Sequence, residues 1–195
     1  MAHAGLHPRE DPADVTAPVK RRVYAYDMPL LDLSELRVIV VDDNEFATIL
    51  MRRLLGVMRV AQVTTCCDAC EADGAIKQSK ADLVIVDIDM PGRSGIDIVH
   101  DIRHGRVGIA KDVCILVASA HVDIEHVERA RSEGANWIVA KPLSFKTLYD
   151  GVARAILDDR PFVESASYVG PCRRTKAVPL ADPHSDRRKA TDAVK

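Results

Sequence analysis

The sequence predicts an α/β protein in which a parallel β-sheet carries helices on both of its faces. Two observations support this fold class. Short apolar runs rich in Val and Ile alternate with longer segments whose apolar residues recur at helical spacing. The connections between them are short, so each strand is expected to run parallel to the previous one, with a helix as the crossover.

The composition limits the number of domains and the class of protein. A chain of 195 residues is long enough for one domain of ordinary size with extensions, but short for two. Because only 4% of residues are aromatic, the core must consist of Val, Ile, Leu and Ala. A net charge of −2 favours neither nucleic acid nor a membrane surface as a partner. The charged N-terminus has no signal-peptide pattern, and the five cysteines are an odd count, so we expect a reducing, cytoplasmic location.

The first half of the compact region predicts three strands and two helices. In order, these are a strand over Val38–Val41, a helix carrying Phe46, Ile49, Leu50 and Leu54, a strand near Gln62–Thr65, a helix that Asp68 caps and that ends near Gln78, and a strand over Leu83–Val86. The first run is continuously apolar and β-branched, which is typical of a strand buried on both faces. Asp is a favoured residue at a helix N-terminus.

The second half continues the alternation of helices and strands. It predicts a helix carrying Ile98, Val99 and Ile102, a strand over Cys114–Val117, a helix from Asp123 to about Glu133, a strand over Trp137–Ala140, and a helix that Ser144 caps and that carries Leu148, Val152, Ala155 and Ile156. The whole pattern therefore consists of five strand–helix units.

Polar residues stand where four of the five strands end, namely Asp42–Asp43, Asp87, Ser119 and Lys141. Ligands of such sheets bind beyond the carboxyl ends of the strands. Clustered carboxylates repel one another unless a cation neutralises them, and Mg²⁺ (or Mn²⁺) prefers carboxylates together with phosphate oxygens. We therefore predict a phosphoryl site in which Asp87 is the nucleophile. Lys141 would pair with Asp87 and then with the phosphoryl group, and the Ser119 hydroxyl would donate to a phosphoryl oxygen.

Taken together, these motifs resemble the receiver domain of two-component signalling systems. The matching motifs, in order, are Val41-Asp42-Asp43, Asp87-Ile88-Asp89-Met90-Pro91 with Gly95, Ser119-Ala120, and Lys141-Pro142-Leu143. The resemblance implies a flavodoxin-like sheet with strand order 2-1-3-4-5. It also divides the chain into an N-terminal extension (1–34), a receiver domain (35–158) and a basic C-terminal tail (159–195).

The resemblance also implies a role for each matching residue. Asp87 would be the phosphoacceptor, and Lys141 and Ser119 would bind the phosphoryl group and switch. The metal ligands would be Asp42, Asp43, Asp87 and the backbone carbonyl of Asp89, with Asp43 a more direct ligand than Asp42. Neighbours of the switch would be Ala120, Trp137 and Ile138, and Pro142 would be a candidate for a cis peptide bond.

Two positions depart from the usual receiver pattern. Receivers often carry Tyr or Phe three residues before the lysine, whereas this chain has Ile138 there, with Trp137 beside it. A ring-flip readout is therefore not expected in its usual form. The second position is Asp89, an acid two residues after the phosphoacceptor. We predict that Asp89 mainly tunes dephosphorylation by acting on the attacking water.

The predicted function is that of a stand-alone response regulator. Asp87 would take its phosphoryl group from a histidine kinase, and the protein could pass it on to a histidine phosphotransfer protein. The roughly 37 residues after the last helix are too few for an ordinary output domain, so signalling through protein contact is expected. No helix-turn-helix or zinc motif predicts direct DNA binding, and no apolar run predicts a membrane span. The terminal extensions are either solvated segments or arms that bind other proteins. Such arms could also join two copies of this chain as a homodimer.

Three alternatives remain open at this stage. Asp87 and Asp89 also fit the DxD motif of a haloacid-dehalogenase-type phosphatase, although the order of the remaining motifs differs. A receiver that never becomes phosphorylated would act as a binding module rather than as a switch. Finally, Cys67 and Cys70 form a C-x-x-C pattern with Cys66 adjacent, which indicates either redox or zinc chemistry or simple packing near a helix start.

Overall fold

The computed structural model describes residues 31–120 and 123–174. Five parallel strands form the central sheet in the order β2-β1-β3-β4-β5, as predicted. The strands are β1 (Arg37–Val41), β2 (Gln62–Cys66), β3 (Leu83–Asp87), β4 (Cys114–Ser119) and β5 (Trp137–Ala140). The helices are α1 (Glu45–Val57), α2 (Ala72–Ser79), α3 (Gly95–Arg103), α4 (Ile124–Ser132) and α5 (Phe145–Ile156). The predicted fold class is therefore confirmed.

The core consists of two apolar layers, one on each face of the sheet. Ile39 and Val41 belong to the layer that also contains residues of α2, α3 and α4. Val38 and Val40 belong to the layer that contains residues of α1 and α5. Successive side chains of a strand point to opposite faces, so a continuous apolar run is what a doubly covered strand requires.

The predicted helix caps agree with the structure at two helices and differ at one. Asp123 and Ser144 cap α4 and α5, and their side chains accept hydrogen bonds from backbone amides, as predicted. The prediction for Asp68 is wrong, because α2 begins only at Ala72. Asp68 instead accepts the amide of Cys70 at 2.7 Å and shapes a local turn before the helix.

The sequence analysis placed no strand after the last helix, whereas the structure has two there. Strands β6 (Phe162–Ser165) and β7 (Tyr168–Pro171) form an antiparallel hairpin. A Cβ atom on Gly134, just after α4, would lie 2.5 Å from the backbone oxygen of Val169 in β7. The hairpin is therefore packed closely against the parallel-sheet domain, at the N-terminal end of β5.

Most residues of the terminal extensions, 1–30 and 175–195, lie outside the described residues. The homodimer contact and the binding arms predicted there consequently remain predictions. Within residues 31–120 and 123–174, no helix has both the length and the apolar character that crossing a membrane requires.

Candidate functional site

The carboxyl ends of β1, β3 and β5 bring three predicted site residues into direct contact. Asp42 follows β1, Asp87 ends β3 and Lys141 follows β5. The Lys141 Nζ lies 2.7 Å from Asp42 Oδ2 and 3.0 Å from Asp87 Oδ2. Residues that are 99 positions apart, Asp42 and Lys141, are thus joined because parallel strands end at the same edge of the sheet.

Three carboxylates at this edge are close enough to share one metal ion. Asp42, Asp43 and Asp87 each offer an oxygen within 4.8 Å of the others. Asp42 and Asp87 are buried, while Asp43 is exposed, so the cluster opens to solvent on the side of Asp43. The Oδ1 atom of Asp87 is buried and has no hydrogen-bond partner among the described residues. An unpaired buried oxygen beside two further carboxylates fits a hard divalent cation such as Mg²⁺.

Burial and the neighbouring charges shift two groups of the site. Burial raises the pKa of Asp87, the Asp42 charge adds to this rise, and the hydrogen bond and positive charge of Lys141 oppose it. Burial alone would lower the pKa of Lys141, but its hydrogen bonds to Asp42 and Asp87 outweigh burial and raise that pKa. The ammonium therefore stays charged beside the nucleophile.

Ser119 is fully buried at the end of β4 and adjoins the lysine strand. Ser119 is paired with Ala140 in the sheet, and its carbonyl oxygen accepts the amide of Lys141 at 2.8 Å. The next residue, Ala120, is exposed, and residues 121–122 lie outside the described part of the chain. The register of β4 and β5 thus places the serine and the lysine side by side.

The loop between β3 and α3 closes the site beside Asp87. A backbone hydrogen bond from Asp89 lowers the pKa of the Asp87 carboxyl, against the effect of burial. At the end of this loop, a Cβ atom on Gly95 would lie 1.9 Å from the backbone oxygen of Asp87. A residue other than glycine would therefore push the nucleophile strand and α3 apart.

The other residues singled out from the sequence lie around β5. The Lys141–Pro142 peptide bond is cis. Ile138 is half-buried, and Trp137 is 40% exposed, with the Arg154 guanidinium 5.0 Å from its ring centroid. The aromatic residue of β5 is thus held at the surface by α5, one position before the usual aromatic site.

Asn44 is a site residue that the sequence analysis missed. Its side chain caps α1 by accepting the amides of Phe46 and Ala47, while its own amide donates to Asp42 Oδ1 at 3.0 Å. Asn44 therefore links the N-terminus of α1 to the carboxylate cluster. The signal was available, because Asn is a favoured N-cap and directly follows the acidic pair.

The cysteines do not form a metal site in the described part of the chain. There, the acidic residues Asp42, Asp43 and Asp87 form the single cluster of at least three potential ligands. Cys66 is buried, which raises its thiol pKa, whereas Cys67 and Cys70 are exposed and free. The zinc alternative consequently has no support from this geometry.

Comparison with known proteins identifies relatives over the parallel-sheet region. The chain is 27% identical over 152 residues to the sensory/regulatory protein RpfC of Xanthomonas campestris, covering 75% of this chain and 21% of RpfC. It is 31% identical over 120 residues to the transcriptional regulatory protein PdtaR of Mycobacterium tuberculosis, covering 62% of this chain and 56% of PdtaR. The chain thus spans less than two thirds of these curated relatives.

The fold also resembles solved structures. The chemotaxis regulator CheY4 of Vibrio cholerae superposes with a TM-score of 0.57 at 24% identity, covering 62% of this chain and 98% of CheY4. A response regulator of Burkholderia pseudomallei, solved with a phosphorylated aspartic acid, a calcium ion and citrate, has a TM-score of 0.54 at 23% identity, covering 60% of this chain and 66% of that one. At this level of identity, both structures support the fold.

The sequence profile of the response regulator receiver domain matches residues 38–153. Receiver domains are phosphoacceptor switches of two-component systems that bind Mg²⁺ at an acidic pocket and interact with histidine kinases and phosphotransfer proteins. This match does not favour the phosphatase alternative. Because it covers more than half of the chain, the protein belongs to the family of response regulator receiver domains.

Proposed function

We propose that this protein is a single-domain response regulator that accepts a phosphoryl group from a histidine kinase on Asp87. One observation carries the proposal. The buried Asp87 carboxylate has Lys141 3.0 Å from one of its oxygens, while the other oxygen has no hydrogen-bond partner within the described structure and lies beside two more carboxylates. Such a carboxylate is oriented by a cation and still has an oxygen available for chemistry.

The acidic residues would hold the metal ion. Asp42, Asp43, Asp87 and the backbone carbonyl of Asp89 are the proposed ligands. When bound, Mg²⁺ or Mn²⁺ would neutralise the clustered carboxylates and shield the charge of an incoming phosphoryl group. Exposed Asp43 lies at the open side of the cluster, where the ion and the donor would enter.

The remaining residues would bind the transferred group. An oxygen of Asp87 forms a bond to phosphorus while the bond from phosphorus to the donor imidazole nitrogen breaks, and the imidazole leaves. Lys141 exchanges its contact with Asp87 for a phosphoryl oxygen, and the Ser119 hydroxyl donates to another. The protein would thus catalyse only its own phosphorylation and dephosphorylation.

We further propose that partners recognise this protein by direct protein contact, without binding DNA. Phe46, Ile49 and Leu50 are exposed apolar side chains of α1, the helix that begins two residues after Asp43, and Phe46 is 84% exposed. Such a surface supports a protein donor, either the kinase or a histidine phosphotransfer protein. Output would use the neighbours of Ser119 and Lys141, including Ala120, Trp137 and Ile138. The proposed location is the cytoplasm.

The proposal is tested by labelling with acetyl phosphate and Mg²⁺, followed by intact mass. We expect one phosphoryl group on the wild type, none on Asp87→Asn, and none after chelation of the metal. Asp112→Asn, which alters an exposed acid outside the site, is the control and should label normally. Labelling of Asp87→Asn would refute the proposed phosphoacceptor, and steady turnover of a phosphomonoester would favour a phosphatase.

Asp89 is proposed to tune the lifetime of the phosphorylated protein. Its side chain is exposed two residues after the phosphoacceptor, where a water would approach. Asp89→Asn should change the rate of acyl-phosphate loss, measured after the phosphodonor is removed, while initial labelling changes less. An unchanged lifetime would contradict this role.

A further inference from the structure

The side chain of Arg93 ties the loop between β3 and α3 to two helices. Arg93 Nη1 lies 2.8 Å from Asp73 Oδ1 in α2, and its Nη2 lies 2.6 Å from Asp101 Oδ2 in α3. The side chain is only 22% exposed. Asp101 is also only 22% exposed, so this ion pair is less screened by solvent than an ordinary surface pair. The planar guanidinium binds both carboxylates in one orientation.

The loop held by Arg93 is the one that carries Asp89 past Asp87. Other described contacts hold its two ends: Ile88 N donates to the carbonyl of Ala118 in β4, and Gly95 N and Ser94 Oγ both donate to the carbonyl of Ile88. The turn in between contains Gly92 at a φ of 80°. Arg93 adds the ion pairs that join the residues between these ends to α2 and α3.

We propose that Arg93 is a positioning residue for the metal and phosphoryl site, an inference that rests on the proposed function. By holding the loop against α2 and α3, it keeps the Asp89 backbone directed at the Asp87 carboxylate, where the Asp89 carbonyl would be one of the groups that hold a metal ion. Without this tie, the loop must be ordered when the metal binds, and the entropy of that ordering weakens binding. Arg93 itself touches neither Asp87 nor the metal ligands in any described contact.

The test compares Arg93→Ala with a matched control on the same acid. Arg106 also pairs with Asp101, at 2.8 Å, but it is 62% exposed and follows α3, so Arg106→Ala leaves the loop tied. Mg²⁺ affinity is measured by calorimetry and by the Mg²⁺ dependence of labelling. Arg93→Ala should weaken Mg²⁺ binding roughly three- to tenfold, below the effect expected for groups that contact a metal ligand directly. The labelling rate at saturating Mg²⁺ should be largely retained.

A second readout uses the protein without metal. Backbone amide hydrogen exchange of residues 88–95 should be faster in Arg93→Ala than in the wild type and unchanged in Arg106→Ala. Arg93→Lys, which keeps the charge but not the fork, should recover part of both effects. If Arg93→Ala only lowered the stability of the fold, exchange would become faster throughout the molecule, and Arg93→Lys would not restore slow exchange in residues 88–95.

Asp73, the partner of Arg93 in α2, extends the test. Asp73→Ala removes the α2 contact at a residue that is 43% exposed, so it carries the test even if Arg93→Ala does not fold. Combined with Arg93→Ala, it should add little to the loss of Mg²⁺ affinity. Wild-type Mg²⁺ affinity and exchange in Arg93→Ala would overturn the inference, as would equal effects of Arg106→Ala. Failure of the wild type to become labelled on Asp87 would instead refute the proposed function.

Discussion

Lys141 is the charge on which the two buried carboxylates of the site depend. Its ammonium contacts Asp42 at 2.7 Å and Asp87 at 3.0 Å, and these contacts raise its pKa against the effect of burial. A divalent cation near the same carboxylates would meet repulsion from this ammonium. Lys141 should therefore favour phosphoryl binding and at the same time moderate the affinity for the metal.

Replacing Lys141 separates these two effects. Lys141→Ala should lower the rate of labelling by acetyl phosphate by about 10²-fold or more, because one charged contact to the transferred group is lost. Mg²⁺ affinity, measured by calorimetry, should rise, because the carboxylates lose a competing cation. Lys146→Ala, which removes a surface lysine paired with Asp150, should change neither quantity. If Lys141→Ala weakened Mg²⁺ binding as well, the ammonium would mainly hold the pocket together.

The residues that the sequence predicted well are those whose positions follow from strand ends. Asp42, Asp87 and Lys141 meet because a parallel sheet brings the ends of its strands to one edge, which the alternation of elements already implied. Arg93 could not be found in this way. Its partners lie 20 and 8 residues away on helices, and the rotation of those helices about their axes decides whether they face the loop.

Among the elements, the β6–β7 hairpin is the one that the sequence analysis missed. Its strands have only four residues each, and the connecting residues Ala166–Ser167 lack the Gly or Asn that marks a tight hairpin turn. The hairpin is stabilised instead by tertiary contacts. The Phe162 ring lies 5.6 Å from the guanidinium of buried Arg103. Burial lowers the Arg103 pKa to about 10, and its described hydrogen bonds go to three carbonyls and the side chain of Asn136.

The contact between the hairpin and Gly134 should be sensitive to a single methyl group. Gly134 has a φ of 99°, and a Cβ atom there would lie 2.5 Å from the Val169 carbonyl oxygen. Gly134→Ala should lower the free energy of unfolding by about 3 kcal/mol, the sum of backbone strain and displaced packing. Gly105→Ala is the control for strain, because Gly105 has a φ of 73° but faces only the flexible Lys111 side chain. If the two variants lost the same free energy of unfolding in urea denaturation, the hairpin would move away from the added methyl group without a measurable cost.

The junction between α5 and the hairpin should make stability depend on pH. Burial alone would raise the pKa of Asp158, but hydrogen bonds from Arg160 and Asn136 outweigh burial and lower that pKa below its ordinary value. The carboxylate therefore stabilises the fold at neutral pH, and this contribution is lost as pH falls through the folded pKa. Asp158→Asn should destabilise the protein by about 2 kcal/mol at neutral pH and by less in acid, whereas Asp159→Asn should do neither. If Asp158→Asn lowered the free energy of unfolding equally at neutral and acid pH, the Asp158 carboxylate would not be the source of the pH dependence.

At the scale of the whole molecule, the carboxyl ends of the strands carry the acidic site, and the opposite ends carry contacts that stabilise the fold. The acidic site lies at the carboxyl ends of β1, β3 and β5. The hairpin packs at the opposite end of the strands. There the Arg103 guanidinium donates to the backbone carbonyls of Lys111 and Val113, just before β4, and to the side-chain oxygen of Asn136, just before β5. Changes to the hairpin should therefore alter stability without altering the chemistry of Asp87.

Two truncations distinguish the hairpin from the residues that follow it. A chain ending at Arg174 keeps both strands and should unfold at the wild-type temperature. A chain ending at Arg160 uncovers Arg103 and should lose more than about 3 kcal/mol of stability, comparable to removing a large buried aromatic side chain. Both chains should still label on Asp87 under conditions where they are folded. The same proteins test the proposed homodimer. If residues 175–195 join two copies, sedimentation should show the mass of two chains for the full protein and of one chain for the protein ending at Arg174. The same number of copies in both proteins would remove the C-terminal tail as the dimer contact.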